Sequence, residues 1–135
     1  MSIYDFKKHF RGRRLSGVEC RGCKVEYGEY GLVAKEYTAI TEKQLDAVRI
    51  AVNKAIKGIG KVFVRIYTPF VQTKKPPETR MGSGKGAPDH NSFPLRPGRI
   101  ILEITNIPLE KAQEILRLGG SKLPCKWEII QRRIF

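Results

Sequence analysis

The sequence predicts an α+β fold, a two-layer sandwich in which a mainly antiparallel sheet carries two helices on one face. Three observations predict it. Apolar residues recur at helical spacing in two separate segments, short apolar runs flank each segment, and connections are brief everywhere but one. The resulting order is β, α, β, long loop, β, α, β, with no internal repeat. Residues 1–24 form an extended basic arm, and residues 25–135 form a single domain with a long basic loop at 68–98. At 135 residues there is chain for one core and not for two.

Taken in order, the arm holds Phe6, Phe10 and Leu15 as scattered apolar anchors. Val25, Tyr27, Tyr30, Leu32, Val33 and Tyr37 suit strands broken by Gly28 and Gly31. Thr41 to Ile56 reads as the clearest helix. Thr41 and Gln44 have the spacing of a capping box, in which each side chain satisfies an otherwise orphaned backbone donor. Leu45, Val48, Val52, Ala55, Ile56 and Ile59 make one apolar stripe, and Gly58 and Gly60 supply the stop.

Lys61 to Tyr67 alternates as a strand covered on one face does. Arg99 to Ile104 is a second apolar strand. Pro108 opens a helix through Leu118, with Leu109, Ala112, Ile115 and Leu116 facing inward and Gly119 and Gly120 ending it. Trp127, Ile129 and Ile130 mark a last strand.

Net charge is +13, from 26 Lys and Arg against 13 Asp and Glu. Its distribution is uneven. Residues 1–24 hold seven basic and two acidic residues, and residues 61–99 hold eight against two, whereas residues 25–60 hold five of each. Such clustering is the footprint of a polyanion binder, because each neutralised phosphate releases counterions. RNA is preferred to DNA, since no helix-turn-helix, zinc finger or basic zipper is present. No apolar run approaches the length that crosses a bilayer, so no membrane partner is expected. Met1 to Ser16 carries Asp5, lacks a signal-peptide apolar stretch and reads as mature protein.

Three cysteines, Cys20, Cys23 and Cys125, suit a reducing compartment. Cys20 and Cys23 have half the spacing of a zinc site, and no second pair follows. The expectation is no metal and no cofactor.

Thr73 to Gly98 is too polar and too punctuated for core, and too long for an idle connector. Within it, Gly82-Ser83-Gly84-Lys85-Gly86 superficially resembles a nucleotide-binding loop. Thr79 stands where such a loop begins with glycine, Gly86 follows the Lys where Ser or Thr holds Mg²⁺, and Pro88 blocks a helix. What remains is a loop whose glycines let backbone amides approach an anion, with charge from Arg80 and Lys85 and an apolar contact from Met81. Asp89 beside His90 suggests an oriented base. Sequence neighbours are expected not to face each other as a catalytic pair does, and no Ser or Cys stands as nucleophile, so no enzyme is expected. In the arm, Lys7, Lys8, Arg11, Arg13 and Arg14 are donors suited to phosphates.

These residues together resemble the large-subunit ribosomal protein L-sixteen family of bacterial-type ribosomes. The matching pieces are Tyr27-Gly28-Glu29-Tyr30-Gly31-Leu32, the Thr41 helix start, Lys61-Val62-Phe63-Val64-Arg65, Thr73-Lys74-Lys75-Pro76, Arg80-Met81-Gly82-Ser83-Gly84-Lys85-Gly86, Pro97-Gly98-Arg99 and Lys122-Leu123-Pro124. The resemblance implies a structural, non-catalytic protein of the large subunit whose partners are large-subunit rRNA, tRNA and neighbouring ribosomal proteins. It places Lys7, Lys8, Arg11, Arg13, Arg14, Lys74, Lys75, Arg96 and Arg99 against rRNA. It places Arg80, Met81, Gly82, Ser83, Gly84, Lys85 and Gly86 in the loop nearest tRNA, beside the peptidyl transferase centre. Ser83 replaces the lysine usual in bacterial members. Gly86-Ala87-Pro88-Asp89-His90 is more similar to mitochondrial members, which implies a ribosome of the mitochondrial matrix, with a plastid or bacterial cytoplasm as alternatives. An RNA-acting enzyme using Asp89, His90 and Lys85, or a free basic RNA chaperone, are the rival readings.

Overall fold

In the computed structural model, which describes residues 17–20, 22–68, 70–75, 81–82 and 84–132, Thr41 caps helix α1 (Glu42–Ile56) as its sequence requires. The Gln44 backbone N–H donates to Thr41 Oγ1 at 3.2 Å, and the Thr41 N–H donates to Gln44 Oε1 at 3.0 Å. Leu45, Val48, Val52 and Ile56 are buried along one side. The stripe stops there, because Ile59 lies past the helix end and is exposed. Gly58, at φ +79°, takes the left-handed conformation that ends the helix.

Helix α2 (Leu109–Gly120) starts after Pro108, which holds the N-cap position without a side-chain cap bond, and buries Ala112, Ile115 and Leu116. It departs from expectation in two places. Leu109 is exposed, and the buried Ile107 just before the helix enters the core instead. The helix also runs through Gly119 and Gly120 rather than stopping before them.

Strands β1 (Tyr30–Ala34), β3 (Lys61–Val64), β6 (Ile100–Thr105) and β7 (Trp127–Gln131) form an antiparallel sheet in the order β3-β6-β1-β7. Leu32, Leu102 and Ile104 from this sheet meet Val48, Val52 and Leu116 from the helices in the main core. A register shift between Leu32 and Val33 pairs Val33 with Ile100 and leaves Ile101 as the extra residue. Ile100 consequently joins Val25 and Val33 in a separate cluster, while Ile101 packs with Leu45, Ile40 and Leu95. Gly31 lies inside β1 and does not break it. A Cβ there would meet Val25 Cγ2 at 3.1 Å, so the glycine admits the segment that runs across the sheet.

The segment from 68 to 98 is not one loop. It contains β4 (Phe70–Lys74) and β5 (Ala87–Leu95), which with β2 (Thr38–Thr41) make a second antiparallel sheet in the order β2-β5-β4. Prolines concealed this strand, and its pairing explains how they fit. Ladder positions 92–95 pair with β2 and positions 87–92 pair with β4. Pro94 therefore sits where only β2 is a neighbour, and Pro88 where only β4 is. Each has an unpaired side for the missing N–H.

Candidate nucleic-acid interface

The β4–β5 hairpin carries the glycine-rich segment at its far end, between Lys74 and Ala87. Gly82 and Gly84 have φ of +100° and +85°, and a Cβ at either would meet nothing within 4 Å. Both are there for backbone conformation and not for packing. Met81 between them and the neck is fully exposed, and Lys85 is exposed. Lys75 Nζ donates to the Gly82 carbonyl, which braces the tip against its own neck. At the neck, a Cβ on Gly86 would lie 2.8 Å from the Lys74 carbonyl carbon and oxygen. Only glycine lets the two arms approach there.

Below the tip, Asp89 is the extra residue of a bulge, since Gln72 pairs with His90 and Thr73 with Pro88. The expectation that Asp89 and His90 do not face each other is thereby overturned. The bulge breaks the usual alternation, and His90 Nδ1 lies 2.7 Å from Asp89 Oδ2. The His90 hydrogen bond holds the Asp89 carboxyl below its ordinary value, against desolvation, and the charges of His90, Lys74 and Lys43 add to the lowering. His90 touches this exposed carboxylate directly, while Lys74 on β4 and Lys43 in the first turn of α1 act on it through their charge alone.

Of the other residues assigned to RNA, Arg96 is exposed. Arg99 is drawn inward, its side chain only 21% accessible, with Nη1 3.9 Å from Glu19 Oε2 and its guanidinium 5.5 Å over the Phe93 ring. Gly22 (φ +64°) makes room for it, since a Cβ there would stand 2.9 Å from Arg99 Cζ. Backbone bonds from Glu19 N to Pro97 O and from Ile100 N to Gly22 O, both 2.9 Å, tie the same stretch to the domain. Arg99 thus fastens the end of the arm to the hairpin's base. Lys7, Lys8, Arg11, Arg13, Arg14, Arg80 and Ser83 lie outside the described residues.

One polar network was missed by sequence reading. Glu103, in the middle of β6, is fully buried. Its carboxylate accepts from the backbone N–H groups of Glu26 (3.1 Å), Tyr27 (2.7 Å) and Gly28 (2.9 Å), and from Arg65 Nη1 at 2.5 Å. Arg65 also donates to the Lys24 carbonyl at 3.0 Å and lies 5.0 Å over the Tyr27 ring. The signal was one acid and one base at interior positions of two apolar strands, Ile100–Thr105 and Lys61–Val64 with its continuation.

The family described as ribosomal protein L16p/L10e matches residues 2–130. The chain belongs to that family. The large ribosomal subunit protein uL16 of Borrelia recurrentis (strain A1) is 44% identical over 128 residues, covering 95% of this chain and 92% of its own length. That of Borreliella burgdorferi (strain ZS7) is 45% identical over the same shares. For an L16p/L10e member, the structure brings Lys74, Lys75, Met81, Gly82, Gly84, Lys85 and Gly86 together on one projecting hairpin. It sets Arg99 apart from them, at the hairpin's root. Cys20 and Cys23 are free thiols whose Sγ atoms donate to the Val18 and Cys20 carbonyls, and Cys125 is free and packs beside the second cluster. Among the described residues, no group of three or more His, Cys, Asp or Glu is placed to hold a metal ion.

Proposed function

We propose that this chain is a structural constituent of the large ribosomal subunit, not an enzyme, which holds rRNA through its basic arm and hairpin and offers the hairpin tip to tRNA. The ribosomal role follows from family membership over nearly the whole chain. The observation that carries the finer reading is the braced tip. Two left-handed glycines and an exposed Met81 and Lys85 stand on a hairpin whose neck admits no side chain. Such a neck, closed at Gly86 and braced by Lys75 on the Gly82 carbonyl, loses little freedom on meeting a ribose-phosphate strand. Lys74 and Lys75 follow the neck, and the arm adds Lys7, Lys8, Arg11, Arg13 and Arg14 among its seven cations. Arg96 extends the same surface, and Arg99 acts by mounting it.

The RNA-acting enzyme is not favoured. Asp89 and His90 do meet, yet neither Ser nor Cys stands with them as an evident nucleophile. The relatives named above are bacterial, which lends no support to the mitochondrial matrix suggested by Gly86 to His90.

The test is Lys85→Ala in ribosomes whose only copy of this protein is the variant. Large subunits are expected to assemble and sediment normally while peptide-bond formation slows. Subunits that fail to assemble, or that elongate at the parental rate, would overturn the tip's assignment to tRNA. Parental protein that fails to co-sediment with large subunits at low salt would overturn the ribosomal reading itself.

A further inference from the structure

Tyr27 is out of place by the ordinary logic of a core. It belongs to none of the buried clusters and is 61% exposed, yet its backbone and its ring are both held. Its N–H is bound to Glu103, and the next residue, Gly28, admits no Cβ because the Ile104 carbonyl oxygen would lie 2.6 Å away. The Arg65 guanidinium lies 5.0 Å over the ring, and the Phe63 ring lies 6.0 Å off at an interplanar angle of 34°. Arg65 is itself held, by Glu103, the Lys24 carbonyl and Glu26. A fully buried carboxylate thus positions an exposed aromatic ring.

Beside that ring opens a cleft of about 490 Å³ along the edge strand β3, bounded by Tyr27, Val62, Phe63, Val64 and Arg65. We propose that Tyr27, Phe63 and Arg65 form a platform on which one unpaired nucleobase of rRNA stacks. The inference rests on the proposed rRNA-bound function and adds a contact of a different kind, apolar and away from the hairpin. Single-stranded RNA is held by stacking on aromatic rings and arginine planes, and any base offers a suitable face. A ring already immobilised loses little further freedom when a base covers it.

Charge at the cleft favours an anionic strand over a basic or neutral peptide, and an exposed ring beside an arginine plane suits a nucleobase. Lys61 opens β3 next to the lining residue Val62, the exposed Lys24 has its carbonyl bound by Arg65, Glu103 is buried against Arg65, and Glu26 lies 3.7 Å from the same guanidinium. The stacked base is therefore expected to come from a strand whose phosphates run past Lys24 and Lys61.

Binding of the full-length protein to large-subunit rRNA, measured across a salt series, separates this contact from the phosphate contacts. Tyr27→Leu keeps the bulk and removes the ring. It is expected to weaken binding about 5- to 150-fold with the salt slope unchanged, and Tyr27→Phe is expected to recover most of the loss. Lys61→Ala is expected instead to reduce the slope by about 0.7–0.9. Ultraviolet crosslinking of the unaltered protein in large subunits gives a readout that no variant's folding can disturb, and its crosslinked peptides are expected to include Tyr27 or Phe63. Parental affinity of Tyr27→Leu, as an apolar protein neighbour in the cleft would give, or crosslinks that avoid both rings, would overturn the platform while leaving the rRNA-bound function standing. Loss of all rRNA binding by the parent would overturn both.

Discussion

Gly120→Ala is the sharpest test of how the helices meet the sheet. In an exposed helix, alanine is favoured over glycine by about 0.8–1.0 kcal/mol. Here a Cβ would lie 2.3 Å from Trp127 Cε2, 2.5 Å from Cδ2 and 2.7 Å from Nε1. Carbon atoms in contact prefer about 3.5–4.0 Å, so the indole must retreat by more than 1 Å or the last turn must open. The ring has little room, because Trp127 pairs with Ala34 on β1 and packs against the main core. Overpacking of this kind costs about 1–3 kcal/mol, occasionally more. The clash offsets or outweighs the propensity gain, and a net loss of about 0–2 kcal/mol is expected, or up to about 10 °C in Tm for a domain of this size. Urea denaturation with a double-mutant cycle measures it. In a Trp127→Leu background the same Gly120→Ala change is expected to stabilise, by up to about 1 kcal/mol. A Gly120→Ala protein more stable than its parent would refute the reasoning.

Glu103→Gln keeps the shape and removes the charge that faces the Arg65 side chain, itself only 13% accessible. Breaking a buried pair costs about 3–5 kcal/mol, but Arg65 keeps Glu26 at 3.7 Å and the Lys24 carbonyl, so urea denaturation is expected to register a loss at or below the lower end of that range. Because the Asp89 carboxyl is held below its ordinary 3.8 chiefly by the His90 hydrogen bond, its contribution to stability is present above that value. It disappears as pH falls through the lower folded-state midpoint. A carboxyl-carbon NMR titration should show that midpoint below 3.8 and should show it rising in His90→Ala; an unchanged midpoint would remove the pair from the hairpin's electrostatics. Burial first, and the Glu36 charge second, push the Cys125 thiol above its ordinary value. Alkylation of Cys125 is expected to be slow at neutral pH and to accelerate only at strongly alkaline pH, as peptide mapping would record.

What could be read from the sequence was whatever depends on near neighbours along the chain. The Thr41 and Gln44 box fixed the start of α1, and the apolar spacing fixed its buried face, both local patterns. Gly119 and Gly120 were misread because glycine at a helix end signals a stop and a close approach equally. Only Val52, whose Cγ2 would lie 2.7 Å from a Cβ on Gly119, and Trp127, against Gly120, tell the two apart, and they are distant in sequence. Strand β2 was missed because its four residues, Thr-Ala-Ile-Thr, merge into the helix cap, although Ile40 is fully buried. Arg65 was read as part of an alternating strand and Glu103 as part of an apolar run. Their meeting, 38 residues apart, is a product of the antiparallel pairing of β3 with β6.

The hairpin shows why this architecture suits a protein that must reach past its own body. Nine residues of β5 span about 30 Å at strand geometry. Of these, only Ser92 to Leu95 are held by β2, and β2 leads directly into α1 and the core. Residues 87–91 extend further with β4 alone beside them, about 16 Å of two-stranded ribbon. An isolated hairpin is marginally stable at best in water, so its rigidity has to come from either end. At the root, Leu95 is buried among Ile40, Leu45 and Ile101, and Arg99 covers Phe93. At the neck, Gly86 lets the arms close, and Lys75 binds the Gly82 carbonyl. A free loop of the same length would also carry cations to an RNA surface, but it would have to be ordered on arrival, at about 1–2 kcal/mol per residue. The paired strands are already ordered when the protein folds, so that cost does not fall on the encounter with RNA.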